Sequence, residues 1–493
     1  MKSCGETTMK YIKILAISSL LFSVSLKAID LGSIDTSFSQ DGMTDGWDVS
    51  NNGDFNSYAS AVAIDSQGRI YMAGTYEVDF NGNPDKRARI ERRLPNGDLD
   101  TSFDSDGIRE LGLPPAPGAQ FNYSLEVNSS DGVLVGYSRL FCITDNDCES
   151  EIYIYHINAN GIIVGSQQIE FDLGPNTDRK DDNFADMVYI RSQNKLAIVA
   201  EVENANIDDT DFGIALLDVN PTSGALSLDT NFSSDGKAIC FFDQQNPNGS
   251  QDSAKAIAWD SLQNHIIVGG HVFEGNGINA DGYNLGFCEF DLSGSLLTQW
   301  STQSQEVVID NREFLFDMEF VNQNNFSTIV VSASLPENGG FDFALTRFDK
   351  DIFGDWSQDT TFGSNGSGWE TTPFQFLFVG DTDDNPAQMV IEEDGNILVA
   401  GTASWDDGFP KGAIAMAKYT ADGILNTTWG IGQSGKVINP LTAQVPWLSV
   451  LAMDTDPNNE EIYVSGFIYD GLNFDSLIAN FHNDSIFASN FDF

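Results

Sequence analysis

The feature that most constrains the fold is a short phrase, Asp-Thr-Ser-Phe, which recurs along almost the whole chain. Variants of the phrase end at Phe38, Phe103, Phe232, Phe362 and Trp429. Two of the intervals, of about 130 residues, are twice as long as the others, so degenerate copies are expected near Ile169 and Trp300. The phrase therefore predicts seven copies of one structural unit.

A second landmark has the same period. Apolar runs that close on a small residue end at Gly74, Gly136, Ala200, Gly270, Ala333, Gly401 and Gly466. From the first to the last there are six steps of about 65 residues. Two separate landmarks with one period make a chance repeat untenable. The repeat also overrides the several domains that 493 residues would otherwise suggest.

Each unit reads as four short strands. In the first unit, Ala59–Asp65 and Arg69–Gly74 flank a tight turn, and Ala88–Leu94 precedes a last strand around the phrase. Continuously apolar runs such as Ile397–Ala400 are typical of strands that are covered on both faces. Four-stranded units repeated radially form a propeller. The sequence predicts an all-β fold, a single seven-bladed β-propeller over residues 29–493.

The order of these landmarks resembles the bacterial delta-60 repeat, an uncharacterised propeller repeat. The best copy is Met389–Asn426, with an Asp394-Gly395 turn, a strand that ends in Ala400-Gly401, and then Ala421-Asp422-Gly423. The resemblance covers essentially all of residues 30–493. It implies the propeller fold and no particular activity.

The two ends of the chain indicate how the ring closes. Residues 34–50 contain a complete phrase before the first inner strand, and residues 485–493 begin another copy and stop. We expect the ends to meet in one blade, to which the N-terminal segment adds the outer strand. The alternative, an outer-membrane barrel ending at Phe493, is disfavoured because barrel strands alternate apolar and polar residues.

The N-terminus predicts export. Lys10 and Lys13 precede the apolar run Ile14–Leu26, which is followed by the small residue Ala28. The run is short for a bilayer span but matches a secretory signal, so residues 1–28 are interpreted as a signal peptide and the mature chain as secreted or periplasmic. A retained membrane anchor is the alternative.

The cysteines fit an oxidising compartment. Cys142 and Cys148 are separated by five residues, and we predict a local disulfide between them. Cys240 and Cys288 lie in strand-like runs, where a small buried hydrophobic residue is the simpler interpretation. Whether they pair is left open.

The charge excludes several kinds of partner. The chain has 73 acidic against 24 basic residues, a net charge of −49. Such a surface repels nucleic acids and anionic membranes, and it discourages self-association, so a monomer is expected. Beyond the N-terminus no run is long enough for a membrane helix.

The predicted ligand face is the one with the longer loops, because rigid scaffolds usually present function on loops. Asx residues precede several inner strands, and convergent oxygens there could bind calcium. The weak candidates are Asp182, Asp252 and Asp384, and the alternative is that such residues cap strand ends through Asx turns. Asx residues at the same places are Asn56, Asn183 and Asn385.

Enzyme signatures are sparse. The sequence has no nucleophile elbow, phosphate-binding loop or zinc-protease motif, and no carboxylate pair stands out among 73 acids. The basic run Lys86–Arg93 and the tryptophans Trp369 and Trp405 could contact a glycan, but ion pairing and packing between blades are the simpler interpretations. We therefore predict a binding or scaffolding module for a protein or glycan ligand. A secreted carbohydrate-active hydrolase or lyase using carboxylates on the same face is the rival.

Overall fold

The computed structural model describes residues 31–38, 45–50, 55–80, 83–111, 122–144, 147–171, 181–203, 210–242, 251–273, 283–302, 313–323, 326–337, 340–374, 383–406, 410–442, 447–469 and 471–483. The predicted signal peptide and residues 485–493 lie outside these ranges. Within them the regular structure is β-strand, and no helix is long and apolar enough to cross a membrane.

The strands form seven antiparallel sheets, and each sheet is one blade of a seven-bladed β-propeller. Blade 1 contains β2 (Ser57–Ile64), β3 (Ile70–Phe80), β4 (Asn83–Arg93) and β5 (Ile108–Glu110). Blade 2 contains β6 (Tyr123–Val127), β7 (Val133–Thr144), β8 (Asp147–Ile157) and β9 (Ile163–Ile169). Blade 3 contains β10 (Asp182–Ile190), β11 (Lys195–Glu203), β12 (Thr210–Val219), β13 (Leu226–Leu228) and β14 (Lys237–Cys240). Blade 4 contains β15 (Ser253–Asp260), β16 (His265–Phe273), β17 (Tyr283–Asp291) and β18 (Leu296–Ser301).

The remaining blades repeat this order. Blade 5 contains β19 (Phe314–Gln323), β20 (Phe326–Glu337), β21 (Gly340–Lys350), β22 (Trp356–Gln358) and β23 (Trp369–Thr372). Blade 6 contains β24 (Asp383–Ile391), β25 (Ile397–Asp406), β26 (Pro410–Tyr419) and β27 (Lys436–Asn439). Blade 7 contains β28 (Leu448–Thr455), β29 (Ile462–Tyr469), β30 (Phe474–Phe481) and, from the start of the chain, β1 (Trp47–Ser50). In blades 3 and 5 the outer strand is split into two short strands.

The predicted closure of the ring is confirmed. Strand β1 pairs antiparallel with β30, from Trp47 opposite Ala479 to Ser50 opposite Ser476. The same N-terminal strand also contacts blade 1, because Asp48 accepts a hydrogen bond from Arg93 at 2.5 Å. Blade 7 is therefore built from both ends of the chain.

The core lies between the blades. Along β25, Ile397 and Val399 pack into the apolar cluster shared with blade 5, whereas Leu398 and Ala400 pack into the cluster shared with blade 7. Consecutive side chains of a strand point to opposite faces, and here both faces are covered. This explains why the strands are continuously apolar rather than alternating.

The prediction of a strand around the repeated phrase is wrong, because the phrase is a turn that joins neighbouring blades and the outer strand of blade 1 begins only at Ile108. In the second copy of the phrase, Asp100 Oδ1 accepts the Ser102 N–H at 3.0 Å, and the Phe103 N–H donates to the Asp100 carbonyl at 2.9 Å. Phe103 is fully buried, and the next N–H, of Asp104, donates to the Asn160 carbonyl of blade 2 at 3.1 Å. The phrase thus holds one blade against the next.

Two units depart from this pattern. Near Ile169 and Trp300, where degenerate copies of the phrase were expected, blades 2 and 4 have the regular outer strands β9 and β18 instead. Both segments lack the Asx residue followed two positions later by Ser, Thr or Asn that forms the turn elsewhere. Blades 2 and 4 are nevertheless contacted by the phrase of the blade that precedes each of them.

Candidate functional site

The first strand of each blade lines the central channel, and six of the seven carry a bulge near the same level. The register shifts by one residue between, for example, Phe184 and Asp186, and between Leu315 and Asp317. A bulge inserts one extra residue into a strand and so interrupts the alternation of its side chains between the two faces of the sheet. These extra residues are Ser60, Ala185, Lys255, Phe316, Ala387 and Leu451, and all six line one cavity.

This cavity, which we call the channel-mouth cavity, has a volume of about 580 Å³. It lies at the end of the channel where the inner strands begin, which is also the end where the longer connections enter. Residues from all seven blades line it, and among their side chains are Tyr123, Lys255, His271, Phe314, Asn385, Ser404 and Trp447. The channel-mouth cavity therefore lies on the predicted long-loop face.

Among the residues that the structure describes, five acidic side chains line the channel at and below the cavity. We call Glu126, Asp186, Asp317, Glu319 and Asp454 the channel carboxyls, and all five keep partial exposure. Asp317 accepts the N–H of Met389 in blade 6 at 2.7 Å, and Asp454 accepts the N–H of Ile64 in blade 1 at 2.7 Å.

The same contact is made between other blades. Glu126 accepts the Tyr189 N–H at 3.2 Å, and Asp186 accepts the Ile257 N–H at 3.3 Å. The inner edge of an inner strand has no further strand to pair with, so its N–H groups need other acceptors. Four of the channel carboxyls supply them and brace neighbouring blades around the channel.

Enclosure and mutual repulsion raise the pKa values of these groups. Burial raises the pKa of Glu126 to about 7. Burial, and then the charge of Asp317, raises that of Asp186 to about 8. Burial raises the pKa of Asp317 and of Asp454 to about 6. The pKa of Glu319 lies well above its usual value because of burial and the other four carboxyls. At neutral pH some of the channel carboxyls are therefore protonated while others are negatively charged.

Two basic groups lie at the mouth. Burial lowers the pKa of Lys255, and burial together with the charge of Lys255 lowers the pKa of His271 to about 3. His271 is consequently neutral at physiological pH. Its ring lies edge-on to Tyr283 and Phe314, with centroid distances of 5.4 and 5.3 Å.

The three weak calcium candidates lie in three different blades. Asp182 and Asp384 each accept a backbone N–H at 2.7 Å, from Phe171 and Phe374, and Asp252 accepts that of Phe273 at 2.9 Å. These contacts are those of residues that cap strand ends. Within the described ranges, neither of the two groups with converging metal-ligand atoms contains any of the three. The calcium site stays a prediction.

The structure describes the side chains of one cysteine pair and not those of the other. Cys240 on β14 and Cys288 on β17 form a disulfide between blades 3 and 4, with Cα atoms 6.5 Å apart. Cys142 and Cys148 are opposite partners in the backbone register of β7 and β8. Their side chains lie outside the part of the chain that is described, so the predicted local disulfide stays a prediction.

The basic run and the tryptophans are structural. Arg92 is fully buried and binds Asp100 at 2.8 Å, and Arg93 binds Asp48 at 2.5 Å. Trp369 and Trp405 are buried. The tryptophan that does face the cavity is Trp447, which is 42% exposed.

Comparisons with known proteins extend no further than the fold. No protein family and no curated protein matches the sequence, so the delta-60 resemblance stays a prediction. Solved structures with a similar fold include Trypanosoma rangeli sialidase in complex with the inhibitor DANA, at 10% identity over 77% of this chain and a TM-score of 0.41. This chain spans 57% of the sialidase's length.

Two further solved structures resemble this chain in fold. The Nup133 β-propeller domain of Vanderwaltozyma polyspora is 9% identical, with a TM-score of 0.43, over 88% of this chain and 100% of its own. Drosophila Plexin A in complex with Semaphorin 1b is 8% identical, with a TM-score of 0.43, over 93% of this chain and 88% of its own. Similarity at this level concerns the fold and says nothing about activity.

Proposed function

We propose that this protein is an exported binding module whose ligand occupies the channel-mouth cavity. The observation that supports this is the cavity itself, about 580 Å³ in volume and framed by the first strands of all seven blades. Sites of this size with a mixed lining are typical of small-ligand recognition. Because the bulged strands are braced to one another by the channel carboxyls, the cavity is held open without the ligand.

The lining favours a glycan without acidic sugars. Trp447 offers an exposed aromatic face for stacking, and Tyr123 and Phe314 add apolar surface. Asn385 and Ser404 offer polar groups to hydroxyls. Below them the channel carboxyls disfavour an anionic ligand. A protein ligand that inserts a basic side chain is the other occupant that this charge would accept.

A glycan array probed with the full-length chain tests the proposal. We expect binding to neutral or amino-sugar glycans, and we expect Trp447→Ala to weaken it at least tenfold. The matched control is Phe353→Ala, because Phe353 is 83% exposed in a turn at the opposite end of its blade. Equal loss in both variants, or binding confined to proteins, would contradict a glycan site at the mouth.

One observation favours a second candidate, a carbohydrate-active hydrolase. Asp186 and Asp317 both line the cavity, and their pKa values of about 8 and about 6 would leave the first protonated and the second charged at neutral pH. A proton donor beside a charged carboxylate is the arrangement that glycosidases use. Both oxygens of Asp317, however, already accept backbone N–H groups at 2.7 and 2.8 Å.

Release of reducing sugars separates the two candidates. Binding without turnover supports the module. Turnover that is abolished by both Asp186→Asn and Asp317→Asn would establish the hydrolase instead.

A further inference from the structure

A second cluster of functional groups lies where the two ends of the chain meet. Asp35 of the N-terminal segment, Glu461 beside β29 and His482 after β30 place one ligand atom each within 4.8 Å of one another. His482 Nδ1 lies 2.9 Å from Glu461 Oε1, and His482 Nε2 lies 3.7 Å from Asp35 Oδ1. The three residues come from three separate segments of blade 7.

The same positions in blade 3 show what normally joins them. There Lys195, the first residue of β11, places its Nζ 2.7 Å from Asp218 and 2.6 Å from Asp229. Asp229 and Asp35 both begin the repeated phrase, and both donate their N–H to the third strand of the blade, to Leu216 and Asn480. One ammonium group thus neutralises two carboxylates in blade 3.

Blade 7 replaces that ammonium group with an acid. Glu461 stands directly before β29, in the place of Lys195, and the register of Ile462 with Phe481 puts it opposite His482, as Lys195 is opposite Asp218. Within the described ranges, neither Asp35 nor Glu461 forms an ion pair with Lys or Arg. The permanent cation that holds the blade 3 cluster together is replaced here by His482, which is a cation only when it is protonated.

One atom of this cluster is also unsatisfied. Glu461 Oε2 is shielded from solvent and has no hydrogen-bond partner among the described residues. A shielded carboxylate oxygen without a donor is costly unless something binds it. By contrast, the cluster of Asp260, His265 and Glu289 in blade 4 already contains a cation, because Lys350 Nζ lies 2.5 Å from Glu289.

We propose that Asp35, Glu461 and His482 bind a divalent transition-metal ion of the Zn²⁺ type, which clamps the N-terminal segment to blade 7. Two carboxylate oxygens and an imidazole nitrogen suit Zn²⁺ or Co²⁺, whereas Ca²⁺ and Mg²⁺ prefer oxygen alone. The ion takes the position that the Lys195 ammonium occupies in blade 3, and water completes its coordination. The metal is structural, and it lies outside the channel-mouth cavity.

The test is metal titration of the full-length chain after chelator treatment, followed by thermal melting and by the absorption of bound Co²⁺. We expect one equivalent of Zn²⁺ or Co²⁺ to bind and to raise the melting temperature by several degrees, with no comparable rise for Mg²⁺. His482→Ala and, separately, Glu461→Gln should abolish both the Co²⁺ band and the thermal shift. His265→Ala, in the cluster filled by Lys350, is the matched control and should retain both.

Two results would overturn the proposal. One is the absence of a Co²⁺ band and of a thermal shift in the wild-type chain. The other is a full metal response in Glu461→Gln, a nearly isosteric variant that allows folding to be judged separately from metal binding.

Discussion

At the scale of single residues, the repeated aspartate has two tasks. One oxygen closes the turn of the phrase, and in three copies the other oxygen binds a cation from a strand of the same blade. Those cations are Arg92, Lys195 and Arg347. The phrase recurs because it fastens five of the seven blades to their neighbours, which is a structural role.

The channel carboxyls make stability depend on pH. The pKa of Asp186 is about 8 in the folded chain, above that of an aspartate in the unfolded chain, so folding binds a proton there. Its contribution to stability is complete below about pH 4 and is lost as the pH rises through about 8. We expect the melting temperature to fall between pH 6 and pH 9, and to fall less in Asp186→Asn.

The control for this prediction is Asp351→Asn. Hydrogen bonds from the backbone of Asp355 and its neighbours lower the pKa of Asp351, so it is ionised throughout this pH range. Its variant should keep the wild-type slope. An identical slope in Asp186→Asn and in the wild type would show that this carboxyl does not titrate as described.

The residues that line the channel are the part of the site that the sequence did not predict. The position and period of the phrase could be predicted, but its role could not, because a strand was expected where Asp100–Phe103 form an Asx turn. Which of 73 acids face the channel could not, because the bulges before Asp186 and Asp317 shift the alternation of their strands by one residue. A bulge has no reliable signal in a single sequence.

At the scale of the elements, strand β1 closes the ring. Deleting residues 30–50 removes the partner of β30 and leaves its edge, with apolar side chains such as Ile478, open to solvent. We expect a sharp fall in the melting temperature, and partial recovery when the peptide 30–50 is added in trans. A melting curve that is unchanged by the deletion would contradict the closure.

The disulfide between β14 and β17 joins two blades across 48 residues of chain. A crosslink closing a loop of this length stabilises a protein by about 4 kcal/mol in the chain-entropy account. We expect Cys240→Ala/Cys288→Ala to lower the melting temperature clearly. Cys142→Ala/Cys148→Ala is the control and should lower it less, because its loop is far shorter; the reverse order would contradict this assignment.

The number of blades and the way the ring closes were the features best predicted from the sequence. The blade count and the use of both chain ends follow from a period that two separate landmarks share along the chain. The pairing of Cys240 with Cys288 does not, because it depends on how two blades stack and not on any spacing in the chain.

At the scale of the whole molecule, the net charge of −49 acts on every blade at once. Self-repulsion of this size opposes the compact state, and salt screens it. We expect the melting temperature to rise between 20 mM and 0.5 M NaCl and to rise equally in KCl. A melting temperature that is independent of both salts would mean that local ion pairs already compensate the charge.

The central claim is that a ligand occupies the channel-mouth cavity. The measurement that tests it most directly is hydrogen–deuterium exchange of the full-length chain with and without the strongest glycan from the array. We predict slower exchange in residues 122–125, 314–317 and 447–452, which line the cavity in blades 2, 5 and 7, and no change in the turns at the opposite face. Protection confined to those turns, or to the outer strands, would place the ligand elsewhere and contradict the account.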